Sequence, residues 1–165
     1  MQVHEDLRDS AASSLSKADV IAALGAHAVA VTGGPQMPLC VGRPDATVAD
    51  PPGRLSKPSA PVASLLADFS RQGLTPRDFV ALLGAHTIGR LPGGAGAHFD
   101  NVYFRVLLDT DLPRAARGMR SDRSLLEDAG TRAEVERFAA DEAAFFEDFA
   151  AAYGRLVNHR TMVCR

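Results

Sequence analysis

Apolar residues along this chain recur at helical spacing, and no stretch shows convincing period-two alternation. Val62, Leu65, Leu66 and Phe69 mark one helix face, and Gly73 ends that element near its C′ position. From 132 to 157, Val135, Phe138, Phe145, Phe146, Phe149, Tyr153 and Leu156 trace a long amphipathic element, with a break expected near Asp141. Shorter helices are predicted over 101–108 and 121–126. The pattern predicts an all-α fold.

Two further helices begin with the same chemistry. Ser16 and Thr75 each offer a hydroxyl at the N-cap, with Asp19 and Asp78 three residues on. Both read as a capping box with Asp in place of Glu, and Pro76 takes the favoured first helical position. The likeness runs inward at an offset of 59 residues, through Leu24-Gly25-Ala26-His27 and Leu83-Gly84-Ala85-His86. Two such segments are too few for a solenoid and read as two core helices with similar packing demands. Thr32-Gly33-Gly34-Pro35 ends the first. Most of the prolines then fall in 35–61, an irregular but ordered connection. A Gly-rich loop occupies 91–97. Residues 1–165 form a single domain, with 1–15 frayed.

Composition changes little in this picture. The 165 residues are 46% hydrophobic and 23% charged, enough for a buried core. A net charge of −2 gives no broad field for nucleic acid or an anionic membrane, so neither is expected as a partner. No apolar run nears the ~20 residues of a transmembrane helix. The charged first ten residues carry no targeting peptide. Cys40 and Cys164 lie far apart without metal-type spacing and read as free thiols in a reducing compartment.

The candidate chemistry sits in Asp-Phe-Val-Ala-Leu-Leu-Gly-Ala-His-Thr-Ile-Gly-Arg, 78–90, where His86 stands near the end of an apolar helix. A neutral imidazole there suits ligation of a haem iron. His27, its counterpart in the first helix, raises the idea of two histidines clamping one haem. The preferred reading of His27 is a satisfied or half-exposed core histidine.

The 78–90 run is one of several ordered segments. Val29-Ala30-Val31-Thr32-Gly33-Gly34-Pro35, Gly42-Arg43-Pro44-Asp45, Phe99-Asp100-Asn101-Val102-Tyr103-Phe104, Ser121-Asp122 and Ala139–Phe146 accompany it. Together they resemble ascorbate peroxidases, in the intracellular class of plant-type haem peroxidases. The resemblance implies a haem-peroxidase-like helical fold with haem b as cofactor. It makes His86 the proximal ligand of the haem iron and Asp122 the carboxylate that accepts the other ring N–H. Such a carboxylate fixes the tautomer and makes the imidazole more electron-donating.

Three departures from the family pattern shape the functional reading. The distal Arg-x-x-aromatic-His is not found, and His4 and Arg8 run in the reverse order, so the fold is expected to lack the N-terminal distal layer. The loop after His86 is short and the chain has no Trp, although the family packs one against the proximal histidine. Thr87 and Asp100 then remain as vestigial cation ligands, and no bound metal is predicted there. The arginine that helps hold ascorbate falls in the shortened stretch.

These features favour a degenerate member acting as a structural or accessory subunit of a larger complex, with haem held through His86. The expected partner covers the missing distal side, as a fuller paralogue or a larger organellar complex. The alternatives are an active haem peroxidase using a small-molecule reductant, and a haem-binding sensor or carrier. Whether the chain is an enzyme stays open on sequence. The resemblance places it inside the cell, with a lean toward chloroplast or mitochondrion.

Overall fold

A computed structural model describes residues 15–54, 56–57, 59–89 and 97–158, with the backbone of 163–164. Residues 1–14, with His4 and Arg8, and nearly all of the 91–97 segment lie outside these residues, so the expectation of a frayed start falls outside them too.

Helix α1, Lys17–Val31, starts at Ser16, whose hydroxyl accepts from the Asp19 amide. The expected box is only half formed here. The Asp19 carboxylate turns away to accept from the Gly42 and Arg43 amides, at 2.9 and 3.1 Å, and from the Arg43 guanidinium at 2.7 Å. The free amides of Lys17 and Ala18 are met by Asp45 from the same loop. Arg43 also donates to the carbonyls of Cys40 and Val157 and to Asn158 Oδ1. One guanidinium therefore ties the start of α1 to the far end of the chain.

Helix α2, Val62–Arg71, ends as expected, with Gln72 capping it and Gly73 at φ +79°. Helix α3, Pro76–Leu83, opens on a complete capping box between Thr75 and Asp78. The expected helix does not run on as α through His86: it tightens to a 3₁₀ turn over Gly84–Thr87. The cause is close packing, since a Cβ on Gly84 would lie 2.3 Å from the Phe145 ring and 2.9 Å from Phe104.

Helices α4, Val102–Leu108, and α5, Arg120–Ser124, are short, as their patterns predict. The long amphipathic element divides at Asp141 into α6, Ala129–Ala140, and α7, Glu142–Val157. Asp141 ends one helix and, by accepting from the Ala144 amide, starts the other. Helix α3 packs on α6 and α7, and α4 packs on α6 and the 3₁₀ turn. Phe79, Tyr103, Phe104, Phe138, Phe145 and Phe149 fill the space between them. The described residues are all-α apart from a two-residue ladder, β1 (Cys40–Val41) with β2 (Val163–Cys164).

That ladder overturns one expectation: Cys40 is disulfide-bonded, not a free thiol. The antiparallel register sets Cys164 opposite Cys40, and paired strand positions bring Cα atoms within disulfide range whatever their distance in sequence. His27 is exposed on α1. The same helix leaves Ile21, Leu24 and Val31 uncovered, at 72, 45 and 65% exposure. Among the described residues no helix is long and apolar enough to cross a membrane.

The buried carboxylates make the fold sensitive to acid. Burial alone would raise the Asp19 carboxyl, but the Gly42 and Arg43 amides and the Arg43 guanidinium outweigh it and hold it below its usual range. Asp78 is lowered against its own burial by Arg155 and Thr75. The stability these carboxylates contribute is full above about pH 4 and is lost as pH falls through their folded values. Arg43→Ala should reduce unfolding free energy by about 3 kcal/mol in urea and move the acid-unfolding midpoint to higher pH. Gly84→Ala should destabilise by about 1–3 kcal/mol in the same assay, because its methyl group overpacks Phe145.

Candidate functional site

The 3₁₀ turn presents His86 with its side chain 24% exposed, while Asp122 in α5 is 1% exposed. Nδ1 of His86 lies 3.0 Å from Oδ1 of Asp122. The carboxylate oxygen accepts, so Nδ1 carries the proton and the lone pair stands on Nε2. Nε2 has no hydrogen-bond partner among the described residues. Asp122 Oδ2 accepts from the Met119 amide at 2.7 Å, which locks the carboxylate at the start of its own helix. Gly118, at φ +93°, makes room for it: a Cβ there would sit 2.8 Å from Oδ2.

The 99–104 motif builds the floor beneath this pair. Asn101 donates from its side chain to the carbonyls of Phe138 and Ala139, and Glu142 accepts from its amide. This clamps the start of α4 to the α6–α7 junction. Tyr103 lies just beyond, 1% exposed, its ring edge-on to His86 at 5.8 Å and 81°. Its hydroxyl is buried without a partner among the described residues. Burial first, and the Asp122 charge second, push the phenol well above the ordinary tyrosine range. In the sequence Tyr103 stands only as one residue of the 99–104 motif; its one signal is a hydroxyl-bearing aromatic on a mostly apolar helix.

Thr87 and Asp100, the vestigial cation ligands, are brought together: Thr87 Oγ1 donates to Asp100 Oδ1 at 2.6 Å. Asp100 Oδ1 also accepts from the Val102 amide. Among the described residues no group of three or more His, Cys, Asp or Glu side chains is placed to hold a metal ion. The described histidines other than His86 are His27 and His98, both exposed.

A cavity of about 290 Å³ lies among α2, α3 and the start of α5, lined by neither His86 nor Asp122. Leu83, three residues before His86, and Met119 and Ser121, which flank Asp122 at close range, form part of its wall. Leu65, Phe69 and Phe79 add apolar wall, and its rim mixes Arg54 and Lys57 with Asp68, Gln72 and Ser56. The volume lies at the small end for ligand sites.

Comparison with known proteins bears on the family of the chain. The family model described as "Peroxidase" matches residues 1–95, which include α1, α2, α3 and the His86 turn. The chain is 40% identical over 152 residues to the cytosolic L-ascorbate peroxidase 2 of Arabidopsis thaliana, covering 86% of this chain and 60% of that protein. It is 40% identical over 154 residues to the cytosolic L-ascorbate peroxidase 1 of Oryza sativa subsp. japonica, covering 87% and 61%. It is 38% identical over 152 residues to the peroxisomal L-ascorbate peroxidase 5 of Arabidopsis thaliana, covering 86% and 54%. The chain thus spans little more than half the length of these relatives. With the family model matching most of the chain and the identity spread along nearly all of it, the chain belongs to the peroxidase family, as an ascorbate-peroxidase-like member of the plant-type haem peroxidases.

Proposed function

We propose that this chain forms the proximal wall of a haem site, with Nε2 of His86 as the iron ligand. The observation that carries the reading is the 3.0 Å contact between His86 Nδ1 and the buried Asp122 carboxylate. That contact fixes the tautomer, orients the ring and raises its donor strength. Haem b, when bound, supplies an iron that exchanges electrons with hydrogen peroxide and a small reductant. The chain's own residues do the proximal work of orientation: Asp122, held by the Met119 amide, fixes the imidazole at Nδ1 and leaves Nε2 for a ligand.

Efficient peroxide reduction also needs groups that move the peroxide proton and stabilise the departing oxygen, each worth about 10²–10⁴-fold. The described residues beside His86 include no such pair, so we assign this chain haem binding ahead of catalysis. The names of its relatives, cytosolic and peroxisomal, support a place inside the cell without singling out chloroplast or mitochondrion.

A second reading, an accessory role in a complex, is favoured by the face of α1 that exposes Ile21, Leu24 and Val31. Apolar side chains grouped on one face mark interaction surfaces. The partner in this reading is a fuller paralogue or a larger assembly seated on that face.

Haem reconstitution followed by absorption spectroscopy tests the first reading. A Soret band should appear with the native chain, vanish in His86→Ala, and persist with roughly 10–100-fold weaker haem affinity in Asp122→Asn. A band that His86→Ala leaves unchanged would remove the ligand assignment. Size-exclusion light scattering tests the second. The native chain should associate, and Ile21→Glu with Val31→Glu should abolish that; a clean native monomer that binds no paralogue would sink it.

A further inference from the structure

Most described arginines hold a carboxylate, from Arg43 on Asp19 near the start of the chain to Arg155 on Asp78 near its end. One stretch breaks the pattern. Arg114, Arg117, Arg120 and Arg123 recur at every third position, and among the described residues none of them makes an ion pair. The carboxylates nearest in sequence are engaged elsewhere. Asp109 accepts from the Asp111 amide and Asp128 from the Thr131 amide. Both oxygens of Asp122 are taken, by His86 Nδ1 and by the Met119 amide.

The backbone gathers the four cations. Arg114 and Arg117 lie one turn apart on a 3₁₀ turn, Arg114–Ala116, closed by the Arg117 amide on the Arg114 carbonyl at 3.3 Å. Side chains three apart on such a turn eclipse one another. Arg120 and Arg123 stand three apart on α5 and share a face. Gly118, at φ +93°, turns the chain between the two pairs, and Nη1 of Arg123 donates back to its carbonyl. One guanidinium of α5 is thereby folded onto the residue next to Arg117.

Two of the four are held in place by the fold. The Nε atoms of Arg117 and Arg123 are buried without an acceptor, so each side chain is packed and stripped of water on its inner side. Both Nη atoms of Arg117 and Nη2 of Arg123 stay accessible and bond to no described residue. A half-buried cation with no counter-charge is disfavoured. An anion that reaches the open edge supplies that charge, and it meets guanidinium groups already ordered and partly dehydrated.

We infer that the 114–123 stretch is a binding site for a phosphate group, free or carried as an ester on a small molecule. Each planar guanidinium offers paired N–H donors that match phosphate oxygens. A carboxylate, with two oxygens and one charge, fills one such fork; a phosphate has the oxygens and the charge to join guanidinium groups from both pairs. Arg117 and Arg123 form the fixed part of the site, and the exposed Arg114 and Arg120 complete it. None of these side chains takes part in the proposed haem ligation, so the two readings stand or fall separately.

Titration calorimetry of the full chain with inorganic phosphate and with glycerol 3-phosphate, at an ionic strength fixed by chloride, tests the site. Chloride screens diffuse attraction, so a specific site should still give saturable one-to-one binding. The tighter of the two probes tells a free anion from an ester. Arg117→Gln should weaken that binding about tenfold or more, the loss of charge-assisted hydrogen bonds. Should this half-buried substitution unfold the chain, Arg114→Gln with Arg120→Gln removes two exposed cations and should weaken binding in a protein of native circular dichroism. Arg132→Gln, in α6 and already paired with Glu136, should leave the affinity unchanged. No saturable binding of either probe, or native affinity in the folded variants of the stretch, would overturn the inference. An equal loss in Arg132→Gln would mean a diffuse field in place of a site and would overturn it as well.

Discussion

Phe145 of α7 lies against the bare backbone of Gly84, and the position of the whole site depends on that contact. Helix α3 is anchored at one end by the Thr75–Asp78 box and at the other is pressed onto the aromatic core. With no side chain at Gly84, the chain closes onto Phe145 and Phe104 and tightens into a 3₁₀ turn. A turn of three residues in place of 3.6 rotates the positions after it, so His86 is aimed by a packing constraint two residues earlier. Asp122 then meets it from a different element, held by the Met119 amide. The pair is thus the product of two separately fixed backbones, which is how a site attains sub-ångström order.

Much of this was legible in the chain. The break at Asp141 comes from a residue able to cap a helix interrupting an apolar stripe, and it divides α6 from α7 where expected. The meeting of His86 and Asp122 is implied by two motifs in the family order, since neither residue alone declares a partner 36 positions away. The tightening after Leu83 was not legible, because α and 3₁₀ turns share the same residue types and differ only in what presses on them. Nor was the bonding of Cys40, which depends on a ladder of two residues, too short to leave a periodic signature. Asp19 shows the same limit: its spacing from Ser16 spells a capping box, but a loop more than twenty residues on claims the carboxylate.

The site has the character of a surface finished on one side. Buried carboxylate and oriented imidazole are supplied by α5 and the turn between α3 and α4, α2 adds Leu65 and Phe69 to the nearby apolar wall, and Nε2 has no hydrogen-bond partner among the described residues. Thr87 and Asp100 illustrate how such a part keeps its shape. Side chains that the family resemblance marks as cation ligands bond directly to each other, and that bond pins the segment after His86 to the start of α4.

The reach of Arg43 bears on how the molecule is made. Its bonds to Val157 and Asn158 span 114 and 115 residues, and Tyr153 reaches back 131 residues to the Ala22 carbonyl. Contacts of that separation close only after the intervening chain is organised. During synthesis α1 is made well before its anchors in α7. For that interval its inner face, Ala22, Ala26 and Val29, is as bare as its outer one. Helix α1 is therefore secured only once α7 has been made, and until then both of its faces are open to other apolar surfaces.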